Sequence, residues 1–219
     1  MLNIIFNLTN NEASALIFFH TVWMMDMVLN KLPSAKGSAL AVACFVLAAK
    51  YDDDNCIDKH RVEQFMDLDH LLRAERRIWK IMDFNIMCPN IMFILRFMSW
   101  KSDRGDPFSR SLAKLILYIV MYNKEYSKFT PFNLVVSALV MAKFLQGQDP
   151  SNILRFGKLT MEEMHPIIHF LKCTIEYLDN TKLCSPMLTN FLFDGQCVIN
   201  FLRQNLIKVN ENDSTTSNG

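Results

Sequence analysis

The chain has 219 residues, 51% of them apolar, with 23 basic against 22 acidic side chains. That length holds one large domain or two of about 100 residues each, and so apolar a composition excludes a disordered chain. A formal net charge of +1 leaves no electrostatic footprint for nucleic acid or for an anionic membrane.

Residues 1–8 are apolar, but the first basic residue is Lys31, so neither a signal peptide nor an Arg-rich transit peptide is expected. Residues 13–29 predict a helix with Leu16, Phe19, Trp23 and Met27 on its apolar side, broken by Pro33 and Ser34. Ser38 is a candidate N-cap for a second helix, 39–50. This helix is apolar all round and rich in alanine, the pattern of a helix buried on every side and closely approached by its neighbours. The run Asp52-Asp53-Asp54-Asn55 ends it. Its 11-residue apolar core, 39–49, is the longest uninterrupted one and is too short to span a bilayer. A short helix over 58–66 and a stronger one over 71–82 follow, the latter with Leu72, Ile78, Ile81 and Met82 as core candidates. Pro89 suits the start of a helix over 90–98. The polar stretch from Lys101 to Pro107, with Gly105 inside it, reads as a domain boundary.

Beyond it lie an amphipathic helix over 109–122, an apolar helix from Pro131 to about Leu145, and a loop over 147–150. Thr160 and Glu163 have capping-box spacing for a helix over 161–178, which Pro166 should bend or delay. One or two more helices are expected over 185–206, then a polar tail over 209–219. The run Val42-Ala-Cys-Phe-Val-Leu-Ala48 can be laid on Val136-Ser-Ala-Leu-Val-Met-Ala142, 94 residues later. Two helical units of like design, each around a buried central helix, are the natural reading.

Six cysteines form no CxxC pair, so zinc-site spacing is absent and a reduced, intracellular setting is the simplest account. No GxGxxG, P-loop, GxSxG or HExxH pattern occurs, so the chain is not expected to be an enzyme. His165 and His169 have i, i+4 spacing, which can chelate a metal. Pro166 and the lack of a further ligand pair weigh against it, and no metal or cofactor is expected. His20 and His70 stand isolated.

The segment Leu47-Ala-Ala-Lys50-Tyr51-Asp52-Asp53 resembles the end of the third helix of a cyclin box. Leu71-Leu72-Arg73-Ala74-Glu75, with Phe84 nine residues after Glu75 and Pro89 beyond, resembles the fifth helix and its exit. Leu112-Ala113, Tyr126-Ser-Lys-Phe-Thr-Pro131 and Leu159-Thr160-Met161-Glu162 are similar in order and spacing to the second box of A- and B-type cyclins. The resemblance implies an all-α chain of two tandem cyclin-like domains, 1–100 and 101–208, followed by the tail. It also implies a regulatory subunit that binds and activates a cyclin-dependent protein kinase in cell-cycle control, of G2/mitotic type. In that family the residues matching Lys50 and Glu75 hydrogen-bond the kinase backbone beside its mobile helix. Those matching Leu47, Tyr51, Trp79, Phe84 and Ile86 pack on that helix, so Trp79, Phe84 and Ile86 should be partly exposed when no partner is bound. Nucleus and cytoplasm are the implied locations.

One family feature is missing. The Met-Arg-x-Ile-Leu-x-Asp-Trp run of helix one does not occur, and no basic residue precedes Lys31. Asp26, which matches the aspartate that pairs with that arginine, needs another partner or solvent, and substrate docking at that groove is not expected. Two other readings are a transcriptional cyclin and a DNA-binding protein of the transcription factor IIB type, which also carries cyclin-like repeats. The latter would show a basic surface and a zinc ribbon, and this sequence has neither.

Overall fold

In the computed structural model the described residues are 4, 5, 8, 14–35, 37–52, 57, 59–180, 197, 198, 200–202, 204 and 205. All of their regular elements are helical, and two compact units divide the chain, Met1–Asn90 and Ile91–Gly219. The first holds α1 (Ser14–Lys31), α2 (Ser38–Asp52), α3 (Lys59–Glu63) and α4 (Leu68–Ile81). The second holds α5 (Ile91–Asp103), α6 (Pro107–Val120), a 3-10 turn (Lys124–Lys128), α7 (Pro131–Leu145), α8 (Ser151–Gly157) and α9 (Met161–Asn180). Among the described residues no helix is long and apolar enough to cross a membrane.

The first unit is built around α2. Ten consecutive residues, Leu40 to Ala49, are buried, with α1 and α4 packed against them. Four alanines in that stretch permit the close approach. By contrast α4 is strongly amphipathic, burying Leu71, Glu75 and Ile78 at helical spacing. It starts three residues before the expected position because Asp67 caps it, accepting the His70 N–H at 2.9 Å. The His70 amide and ring hold the Asp67 carboxyl below the usual carboxylate range.

The second unit repeats the plan around α7, where ten consecutive residues, Leu134 to Lys143, are buried. Each of the ten lies 94 residues after its counterpart in α2. Thr130 caps α7 and Pro131 opens it. The capping box of α9 forms as the spacing required: Thr160 N–H donates to Glu163 Oε2 at 2.8 Å and Glu163 N–H to Thr160 Oγ1 at 3.3 Å. Pro166 lies within α9 without ending it.

Two points differ from the sequence-based expectations, and a third lies outside the described residues. α8 is absent from the sequence reading because seven residues with Ile153 as their buried anchor carry too little periodicity. The stretch from Lys101 to Pro107 is no boundary between the compact units, since α5 already packs with α6, α7 and α8. Polar residues with glycine mark a surface turn, and such turns also occur inside a domain. The helices expected over 185–206 and the tail over 209–219 fall largely outside the described residues.

At the start of α6, Asp106 accepts from the Ser109 hydroxyl (2.6 Å) and the Phe108 N–H (3.1 Å) and faces Lys143 of α7 (3.4 Å). Burial opposes its ionisation, but Ser109, Phe108 and the Lys143 charge outweigh it and hold its carboxyl below the usual range. A depressed carboxylate contributes stability above its unfolded pKa, about 3.9, and loses it as pH falls through the folded value. Acid unfolding followed by circular dichroism should therefore be shallower below about pH 4 in Asp106→Asn than in the parent chain, with a lower starting stability.

Candidate functional site

The C-terminus of α2 emerges from the core at Lys50. From there the ammonium reaches α4 and donates to both Glu75 oxygens, at 2.8 and 2.9 Å. The Glu75 side chain is only 8% exposed, whereas that of Lys50 is 47% exposed. Glu75 therefore pairs across helices and not with Arg76 or Arg77, which cannot share its face at i+1 and i+2. Lys50 also lies in the last turn of α2, where the helix dipole favours a cation.

Trp79, one turn after Glu75, is half-buried and stacks on Phe84, with ring centroids 5.8 Å apart and planes 25° apart. Phe84 follows the end of α4 in a tight reversal. Its N–H donates to the Trp79 carbonyl (3.0 Å) and the Asp83 N–H to the Lys80 carbonyl (3.3 Å), a Schellman closure. Such closures usually employ glycine, yet Asp83 (φ 52°) and Phe84 (φ 57°) both occupy the left-handed region. Lys31 of α1 clamps this reversal, donating to the Ile81 carbonyl (2.7 Å) and to Asp83 (2.9 Å). As a result Phe84 is 71% exposed, and Tyr51 stands 52% exposed at the end of α2.

Of the seven residues singled out by sequence, Lys50, Tyr51, Trp79 and Phe84 are exposed or half-buried on the first unit, and Glu75 is buried (6% exposed) but bonded to the partly exposed Lys50. Leu47 (3% exposed) and Ile86 (5% exposed) belong to the core. Leu47 lies within the buried stretch of α2, one turn too early to emerge. Ile86 is drawn inward because its carbonyl accepts a hydrogen bond from the buried ring of His20, so the expected exposure of Ile86 does not hold. Asp26 is half-buried on α1.

His20 has two partners: Nε2 lies 2.8 Å from the Ile86 carbonyl and Nδ1 lies 2.8 Å from Asp52 Oδ2. Its ring also meets Tyr51 edge-on, 5.3 Å away at 86°. Sequence reasoning missed His20, Asp52 and Lys31 because their partners are 32 to 66 residues away. Nearby, burial and the Asp52 charge push the Cys88 thiol up to about 12, which makes it a poor nucleophile. Among the described residues no group of three or more His, Cys, Asp or Glu is placed to hold a metal. His165 and His169 are both exposed on α9.

The site therefore offers one donor–acceptor pair flanked by three aromatic rings. Such an arrangement suits recognition of a polypeptide better than chemistry on a small molecule. Comparison with known proteins points the same way. The profile of the cyclin N-terminal domain matches residues 2–87. The G2/mitotic-specific cyclin cdc13 of Schizosaccharomyces pombe is 28% identical over 159 residues, which is 68% of this chain and 30% of that protein. The G2/mitotic-specific cyclin-2 of Saccharomyces cerevisiae is 27% identical over 68% of this chain and 32% of its own length. The G2/mitotic-specific cyclin-4 of Candida albicans is 29% identical over 60% and 28%.

Residues 2–87 thus carry a match to the cyclin N-terminal domain. The chain spans about a third of the length of the curated relatives it matches. The matched domain encloses the whole site, from His20 to Ile86. The 159-residue alignment is longer than the first unit, so the likeness also runs into the second.

Proposed function

We propose that this chain is a cyclin that binds and activates a cyclin-dependent protein kinase in cell-cycle control, of the G2/mitotic type, as a regulatory subunit and not a catalyst. The observation that carries this reading is the Lys50–Glu75 pair at the rim of an aromatic surface inside the matched domain. Lys50 commits two of its three N–H groups to Glu75. The third, with the free lone pairs of the carboxylate, provides a donor beside an acceptor, the complement of a peptide backbone. Tyr51, Trp79 and Phe84 supply apolar anchors around it. The kinase gains activity because its own catalytic ion pair forms only when its mobile helix is correctly placed, and a ligand that favours that placement shifts the population towards it.

Two further parts of the reading rest on the same resemblance. The second unit is a second cyclin-like box, supported by the 94-residue correspondence of α2 and α7. The chain works in nucleus and cytoplasm, where it would meet its kinase.

Co-expression with cyclin-dependent kinases from the same source tests the proposal. A one-to-one complex with raised histone-phosphorylating activity is expected, and recovery of no complex with any of them would overturn it. The near-neutral charge also predicts no sequence-specific DNA binding at physiological salt; a specific shift in a gel assay would favour a transcription-factor role.

A further inference from the structure

Tyr51 and Phe84 are exposed rings at the ends of two different segments, and a contact surface needs both held still. Building on the kinase-binding reading, we infer that His20, carrying protons on both ring nitrogens, is the positioning residue that ties these segments to α1. Both of its partners are acceptors: the Ile86 carbonyl at Nε2 and the Asp52 carboxylate at Nδ1. A neutral imidazole has one N–H and one lone pair, so it would turn that lone pair towards an acceptor. The doubly protonated ring donates to both, and the bond to the carboxylate becomes charge-assisted.

Each bond anchors one exposed aromatic ring. Asp52 is adjacent to Tyr51, whose ring also rests against the imidazole edge-on. Ile86 lies two residues after Phe84, so its carbonyl fixes the far end of the left-handed reversal that presents the Phe84 ring. Lys31 fixes the near end. Thus α1 holds the segment from Ile81 to Ile86 at both ends, from positions about 16 Å apart along its axis.

Few titratable groups among the described residues face the ring. Asp52 and the Tyr51 phenol come from α2. The exit segment brings Cys88 beside Asp52, and that thiol stays neutral because burial and Asp52 push it up to about 12. At the far end of α1 the charged pair is Lys31 with Asp83, both on the surface. Loss of the second imidazole proton as pH rises should therefore release one of the two anchors.

The test uses the full chain and its co-expressed kinase between about pH 5 and about pH 8, where histidines in general exchange a proton. The decisive variant is Asp52→Asn. Its amide can donate to Nδ1 of a neutral ring while Nε2–H still donates to Ile86, so both anchors persist without the second proton. Wild-type affinity should fall about tenfold relative to Asp52→Asn across that range, the effect of one charge-assisted bond. Titrations belonging to the kinase cancel in the ratio. His20→Ala should bind more weakly at every pH, without this dependence. Amide hydrogen exchange of residues 83–88 in the free chain is the readout independent of kinase: exchange in the wild type should rise with pH relative to Asp52→Asn. A constant affinity ratio, with equal exchange in the two proteins, would overturn the inference and leave kinase binding intact. If no kinase binds, the proposed function fails, and the exchange measurement alone decides whether His20 holds the segment.

Discussion

Replacing Lys50 and Glu75 together with alanine is expected to weaken the kinase complex on the order of 100-fold or more while leaving the helical circular dichroism unchanged. The double change is the informative one. Lys50→Ala alone would strand the nearly buried Glu75 carboxylate without its cation, and a buried charge that loses its partner is strongly destabilising. A loss of binding in that variant would confound folding with recognition. Removing both groups together removes the stranded charge. What remains is loss of the donor–acceptor pair proposed to face the kinase. Titration calorimetry with a purified cyclin-dependent kinase measures the effect, and an affinity within about threefold of the parent would remove Lys50 and Glu75 from the contact.

The second large effect concerns Phe84, where binding and stability should move independently. The ring is mostly exposed, and its backbone sits at φ 57°, a conformation costing non-glycine residues roughly 1–2 kcal/mol. Phe84→Gly relieves that cost, partly offset by the greater freedom glycine gains in the unfolded chain. The melting temperature should therefore hold or rise slightly, while kinase affinity falls about 30-fold or more through loss of an aromatic anchor. Phe84→Leu is the companion variant: it keeps the strained backbone and part of the apolar contact, and should retain intermediate affinity. Strain of this kind persists only where the surroundings over-determine it, here through Lys31, the Trp79 stack and the His20 bond to Ile86. Unchanged binding by Phe84→Gly would mean that the reversal serves chain geometry alone.

Much of the architecture was legible in the sequence. The all-round apolar pattern of α2 and α7 announced two buried central helices, and ten consecutive buried residues in each bear this out. The Thr160–Glu163 spacing announced the cap of α9. Local signals succeed where the physics is local, as in caps, prolines and helical periodicity. They failed at α8, too short for a period, and at the polar turn before α6, which looked like the edge of a domain.

The same division runs through the site. Sequence by itself determined the cyclin resemblance, and that resemblance implied Lys50, Tyr51, Glu75, Trp79 and Phe84 as contact residues. Tertiary structure alone decided that Lys50 and Glu75 are bonded to each other, that Leu47 and Ile86 are core, and that His20 is not isolated. Ile86 illustrates the reason. Its side chain has the apolar character of a contact residue, but its orientation is set by a carbonyl–imidazole bond spanning 66 residues, and no local pattern encodes a partner that far along the chain.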